Sequence, residues 1–215
     1  MTTAVAGGPR WTYRQLRAAV GTAFGTDPRG RPDTAAVAAA LQVSRRTVQR
    51  WLHGKDRSVA RLPAGRLEQL LSQVRPDPQS LRQEQTAARY ARDAIAKLER
   101  KDQVGVLTVW GERRWLEQHL VAVLDLPALG LRQVTITRGS DRALRELANR
   151  GKVVAKAAVP TRFHATLLAH EVLQDLDAWR VVAPAGVLPA ARTQTWLRDA
   201  PTVRRPGLAV TRARR

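Results

Sequence analysis

Apolar positions in the first third of the chain recur every three or four residues. Leu16, Val20 and Phe24 share one face of a helix read from Trp11 to Phe24, after a loose tail over residues 1–9. Gly25 to Pro32 (GTDPRGRP) interrupts that rhythm with glycine, proline and aspartate, and reads as a loop. Asp33 and Thr34 are both good N-cap types for the alanine-rich helix that follows to Leu41. Gln42 and Val43 form a tight turn. Ser44 then caps a helix from Arg45 to His53, which Gly54 is placed to end. Pro63 to Val74 reads as a further helix, and Arg75 to Pro78 (RPDP) as a break between domains.

Gln79 to Lys101 is polar and helical by propensity, with Ala87, Ala88, Ala91, Ala94, Ile95 and Leu98 on one stripe. It reads as a connector or a dimerising helix. From Gln103 the rhythm changes. Val104 to Trp110 is expected as a strand and Arg113 to Leu124 as a helix, with His119 and Glu117 on its surface. Gln133 to Thr137 alternates like a strand. Ser140 can cap a helix over Asp141 to Asn149 that Gly151 ends. Lys152 to Val159 is expected as a strand, Thr161 to Leu173 as a helix, and Trp179 to Val182 as a short strand. Trp110, Trp115, Trp179 and Trp196 read as core or rim anchors. The tail from Pro201 to Arg215 holds five arginines and no acidic residue; it is expected to be disordered alone and able to lie along phosphates.

The segment Thr34 to Gly54 has the pattern of a helix-turn-helix. That motif needs a small residue where its helices cross and apolar residues at fixed offsets to hold the angle. Ala38 supplies the small residue, with Val48 ten residues on. Val37 and Leu41 pack from the first helix, Val43 plugs the turn, and Val48, Trp51 and Leu52 pack from the second. Gln42 departs from the glycine commonest in the turn. An ordinary helical hairpin with a solvated basic face shares the alanine-rich pair, but not the conjunction of cap, turn, spacing and arginine-bearing outer face. The DNA-binding candidates are Ser44, Arg45, Arg46, Thr47, Gln49, Arg50 and His53, with Lys55 and Arg57 following and Arg61 beyond them. Arginine reads guanine, glutamine reads adenine, and serine or threonine holds phosphate. The implied fold class is α+β: an all-α helix-turn-helix domain at 1–78, a connector helix at 79–102, a small α/β domain at 103–200 and a basic tail at 201–215.

Charge agrees with this reading. The 215 residues carry 37 Lys+Arg against 18 Asp+Glu, a formal net charge of +19. Such a chain attracts polyanions and releases counterions on binding them. Only five of the basic residues are lysine. That choice follows a GC-rich coding sequence, but the excess of base over acid does not. Residues 1–78 hold 13 basic and 5 acidic side chains.

Other chemistry is not indicated. There is no cysteine, so disulfides and thiolate metal sites are excluded. The four histidines show no HExxH spacing, and no phosphate-loop or dinucleotide fingerprint is present. No catalytic constellation, metal site or cofactor is expected, so the chain reads as a binding protein rather than an enzyme. Around TITRGSDR, Thr135 and Thr137 read as one strand face and Ser140 as a helix cap; a hydroxyl there can also accept a nucleotide if a polymerase delivers one. No run of about 18 apolar residues spans a membrane, and residues 1–9 lack the character of a secretory signal. A cytoplasmic, nucleoid-associated protein is expected.

The stretch AAVAAALQVSRRTVQRWLHG (Ala35 to Gly54), with the basic segment after it and RLEQLL (Arg66 to Leu71), resembles the terminal proteins that cap linear replicons of actinobacteria. VPTRFHATLLAHE (Val159 to Glu171) resembles their later strand–proline–aromatic–helix segment. The resemblance implies DNA replication at telomeres, with a Ser or Thr hydroxyl priming synthesis beside a replication partner protein. The alternative is a transcription regulator, working as a homodimer whose C-terminal part dimerises or senses a ligand. Both share double-stranded DNA as partner.

Overall fold

The computed structural model describes residues 11–62, 65, 69–70, 72–100, 104–183, 188, 191–203, 205 and 207–210. The expected tail over residues 1–9 and much of the expected helix Pro63 to Val74 lie outside them, although Gln69, Leu70 and Ser72 are helical. The chain is α+β. It divides into two compact units, Met1–Pro76 with Ala178–Ala200, and Asp77–Asp177 with Pro201–Arg215. No helix among the described residues is long and apolar enough to cross a membrane.

The first unit opens with α1 (Tyr13–Phe24), α2 (Thr34–Leu41) and α3 (Arg45–Leu52). Each has its own stop and start. Thr12 and Gln15 form a reciprocal capping box on α1, and Asp33 and Ser44 cap α2 and α3. Their apolar faces meet in one core: Leu16, Val20, Val37, Ala38, Leu41, Val48, Trp51, Leu52 and Leu70 are buried, with Phe24 and Val43 packed against them. The returning segment Ala178–Ala200 adds a bridge from Arg180 to Trp196 and the short strand β4 (Thr195–Leu197).

The second unit begins with α4 (Pro78–Arg100). Asp77 just before it accepts hydrogen bonds from the Gln79 and Ser80 amides at 2.8 and 2.9 Å, and from the Ser80 hydroxyl at 2.7 Å. The Ser80 amide is the main cause that holds this carboxyl below the usual aspartate range. Its contribution is therefore present near neutral pH and is lost as pH falls through the lowered value. After α4 come α5 (Val104–Glu112), β1 (His119–Leu126), β2 (Leu131–Arg138), α6 (Asp141–Arg150), β3 (Lys152–Val159), α7 (Arg162–Asp175) and β5 (Ala209–Val210). The strands of this unit lie in the order β2-β1-β3-β5, and every adjacent pair is antiparallel. Helix α7 packs across β1, β2 and β3, and α4 packs on α7.

Several expectations are overturned here. Val104 to Trp110 is helical, not a strand, because Trp110 is buried in a cluster with Ala91, Ala94 and Phe163. Arg113 to Leu124 is not a helix. The chain turns at Arg113 to Glu117 and then forms β1, whose eight residues are all buried. A strand buried on both faces reads as a continuous apolar run, which periodicity cannot tell from a helix. His119 is consequently buried, with Nδ1 2.8 Å from the Glu117 carbonyl, and is not a surface partner of Glu117. Trp179 to Val182 contributes one bridge, and the strand it pairs with is β4.

The expected domain boundaries shift as well. Helix α4 is part of the second unit's core, since Ala88, Ala91 and Ala94 are buried, and residues 178–200 group with the N-terminal helices. The tail is not free where it is described. Arg205 makes a bidentate pair with Asp175 and reaches Glu171, and Ala209 and Val210 pair with β3.

Candidate nucleic-acid interface

The turn between α2 and α3 is built from backbone bonds. The Val43 amide donates to the Ala38 carbonyl at 3.0 Å, so the small side chain of Ala38 sits where the chain doubles back. Gln42 adopts a left-handed conformation, φ 52° and ψ 45°, which glycine tolerates and glutamine does not prefer. Replacing Gln42 with glycine should raise the stability of this unit by up to about 1 kcal/mol, read as a higher melting temperature. A lower melting temperature would show that the glutamine side chain outweighs the backbone strain.

Helix α3 has one buried and one open face. Val48, Trp51 and Leu52 are buried, while Ser44, Arg45, Arg46, Gln49, Arg50 and His53 are exposed and Thr47 is half-buried. The exposed residues do not all have the same task. Ser44 Oγ accepts the Thr47 amide at 3.1 Å, and the two hydroxyls lie 2.8 Å apart, so this pair caps the helix. Arg45 Nε donates to Thr34 Oγ1 at 3.0 Å, which ties it to the first turn of α2. Arg46, Gln49, Arg50 and His53 remain, at i, i+3, i+4 and i+7. They line one open groove with Ser44 and Thr47, of about 670 Å³.

The C-terminal end of α3 is braced by α1, a feature sequence reasoning missed. Arg17 Nη1 donates to the Leu52 carbonyl at 2.6 Å and to the Gly54 carbonyl at 3.2 Å, and Nη2 pairs with Asp56. A cation there also suits the negative end of the helix dipole. The Tyr13 and Arg14 amides bond to the Ser58 and Asp56 carbonyls, and Ala60 donates to the Trp11 carbonyl. This holds the loop that presents exposed Lys55, Arg57 and Arg61. The only trace in the sequence was an arginine one turn into an otherwise amphipathic helix.

Gly54 has a different role from the one expected. His53 caps the helix with φ −85°, so no left-handed residue is needed. The Tyr13 ring instead lies where a side chain on Gly54 would be, with three ring atoms 2.3 to 2.6 Å from an ideal Cβ. Gly54→Ala should therefore cost about 1–3 kcal/mol by displacing Tyr13. Thermal unfolding of G54A, Y13A and the double variant tests this: the double variant should cost less than the sum of the two.

The other sequence candidates sit elsewhere. Ser140 Oγ accepts the Ala143 amide at 3.3 Å and caps α6, and Thr135 is buried in β2. Thr161 caps α7, its hydroxyl 2.8 Å from His164 Nδ1. Trp110 and Trp196 are buried, and Trp115 and Trp179 are half-buried. Among the described residues no group of three His, Asp or Glu is arranged to hold a metal ion. The chain matches no protein-family model, no curated protein and no solved structure.

Proposed function

We propose that this chain is a double-stranded DNA-binding protein that lays α3 in the major groove. The observation that carries this is the division of labour on α3. Its inner face is locked in a core, its two ends are pinned by Ser44 and Arg17, and Arg46, Gln49, Arg50 and His53 stand on one open stripe. A rigid helix presenting arginine and glutamine in register matches what base edges in the major groove offer. Arg45, Lys55, Arg57 and Arg61 flank that stripe and supply phosphate contacts.

The likeness of Ala35–Gly54 to the replicon-capping terminal proteins supports a narrower role within this class, at the ends of a linear replicon. A dimeric transcription regulator is the competing role for the same DNA-binding unit.

A salt-titrated binding assay of the full chain tests both levels. Random duplex, a palindromic duplex library and a folded 3′-overhang DNA are compared. Duplex binding should weaken steeply with salt, and Lys55→Ala or Arg57→Ala should each reduce the slope by about one. Failure to bind any duplex rejects the proposal. Preference for the folded end supports the terminal role, and preference for a palindrome supports the regulator.

A further inference from the structure

The second unit carries an aromatic and arginine surface that duplex binding by α3 does not use. Tyr90 on α4 is 49% exposed. It is nevertheless held. The Trp110 indole donates to its hydroxyl at 3.1 Å, and its ring stands edge-on to Phe163 with centroids 6.0 Å apart. Trp110 and Phe163 are themselves buried, each 3% exposed, so the support is rigid.

Two cations stand on Trp115, whose ring meets the same Phe163 edge-on with centroids 5.9 Å apart. The Trp115 amide donates to the Trp110 carbonyl at 2.8 Å, and the Arg162 amide donates to the Trp115 carbonyl at 2.9 Å. These bonds bring the turn after α5 and the start of α7 together. The guanidinium groups of Arg113 and Arg162 lie 5.1 and 5.6 Å from the centre of the Trp115 ring. Both arginines are exposed, and neither forms an ion pair among the described residues. Stacking on the indole orients them without neutralising them.

A presented ring and two oriented, unneutralised arginines, built on the same aromatic cluster around Phe163, match an unpaired strand with its phosphates. Base pairs in a duplex have their faces covered by stacking, so a duplex can use the arginines but not the ring. An acidic protein can likewise satisfy the cations alone. The unit as a whole is basic, with 21 Lys and Arg against 13 Asp and Glu in Asp77–Asp177 and Pro201–Arg215.

We propose that Tyr90, Arg113 and Arg162 form a second site, which binds unpaired polynucleotide by stacking one base on Tyr90 and holding flanking phosphates with the arginines. The ring is prepaid in conformational entropy because Trp110 and Phe163 fix it before any ligand arrives.

The test is fluorescence anisotropy of the full chain with labelled oligo-dT and oligo-U of about 12 nucleotides, and with a labelled duplex. Tyr90→Ala should weaken binding of the unpaired strands roughly tenfold and leave duplex affinity unchanged. Tyr90→Phe, which keeps the ring, should bind as the wild type. Arg113→Ala with Arg162→Ala should reduce the salt slope for unpaired strands by about 1.4. Tighter binding of oligo-dT or of oligo-U identifies the natural strand as DNA or RNA, and either supports the site. The proposal is overturned if the wild type binds neither strand, or if Y90A binds them as well as the wild type. It is also overturned if Y90F loses as much as Y90A, or if duplex and unpaired binding fall together.

Discussion

Trp51→Ala is expected to abolish DNA binding by unfolding the three-helix core, although Trp51 never reaches the groove. Its side chain is 6% exposed and packs among Leu16, Val20, Val37, Val48 and Leu52. Truncating a buried tryptophan costs about 3–5 kcal/mol. A core of this size supplies stability of about the same magnitude, so little is left. The measurement is loss of helical circular dichroism and of the first melting transition. Trp51→Phe, which leaves a smaller void, should remain folded and retain binding. A W51A protein that melts within a few degrees of wild type would show that the helices are held by something other than this core.

The second large effect falls on the opposite face of the same helix. Arg46→Ala combined with Arg50→Ala should weaken binding to a cognate duplex about a hundredfold, since each guanidinium that reads a base is worth roughly 1–3 kcal/mol. Stability should hardly change. Both side chains are exposed, and removing two like charges four residues apart on a helix relieves a few tenths of a kcal/mol of repulsion. Arg45→Ala should cost less and equally on all sequences, because Arg45 is tied to Thr34 at the start of α2. If the double variant loses affinity equally on random and cognate duplex, Arg46 and Arg50 are phosphate contacts. No loss at all would reject α3 as the recognition helix. Because W51A removes the fold and this variant does not, the pair separates stability from recognition.

What the sequence determined by itself is the local part. The caps Asp33, Ser44 and Ser140 each stand at the start of a helix, because a short polar side chain before an apolar rhythm satisfies amides that nothing else reaches. The apolar offsets from Val37 to Leu52 were legible for the same reason: the contacts that α2 and α3 make with each other join positions close in the chain, where period and spacing are fixed by helix geometry. Strand β3 was legible in full, bounded by Gly151 and Pro160.

Only the tertiary structure decided the rest. Val104–Glu112 and His119–Leu126 are both apolar runs, and one became a helix and the other a strand according to what covers them: Trp110 found α4 and Phe163, while β1 found β2 and β3 on its two edges. Nor did any local rule place residues 178–200 with the N-terminal helices, tie Arg205 to Asp175, or press Tyr13 onto Gly54. Those choices join positions thirty to more than a hundred residues apart, where the pattern of a single segment carries no information about its neighbour. The aromatic and arginine surface around Tyr90 belongs to this second kind. Its parts come from α4, the turn after α5 and the start of α7, and only folding gathers them around Phe163.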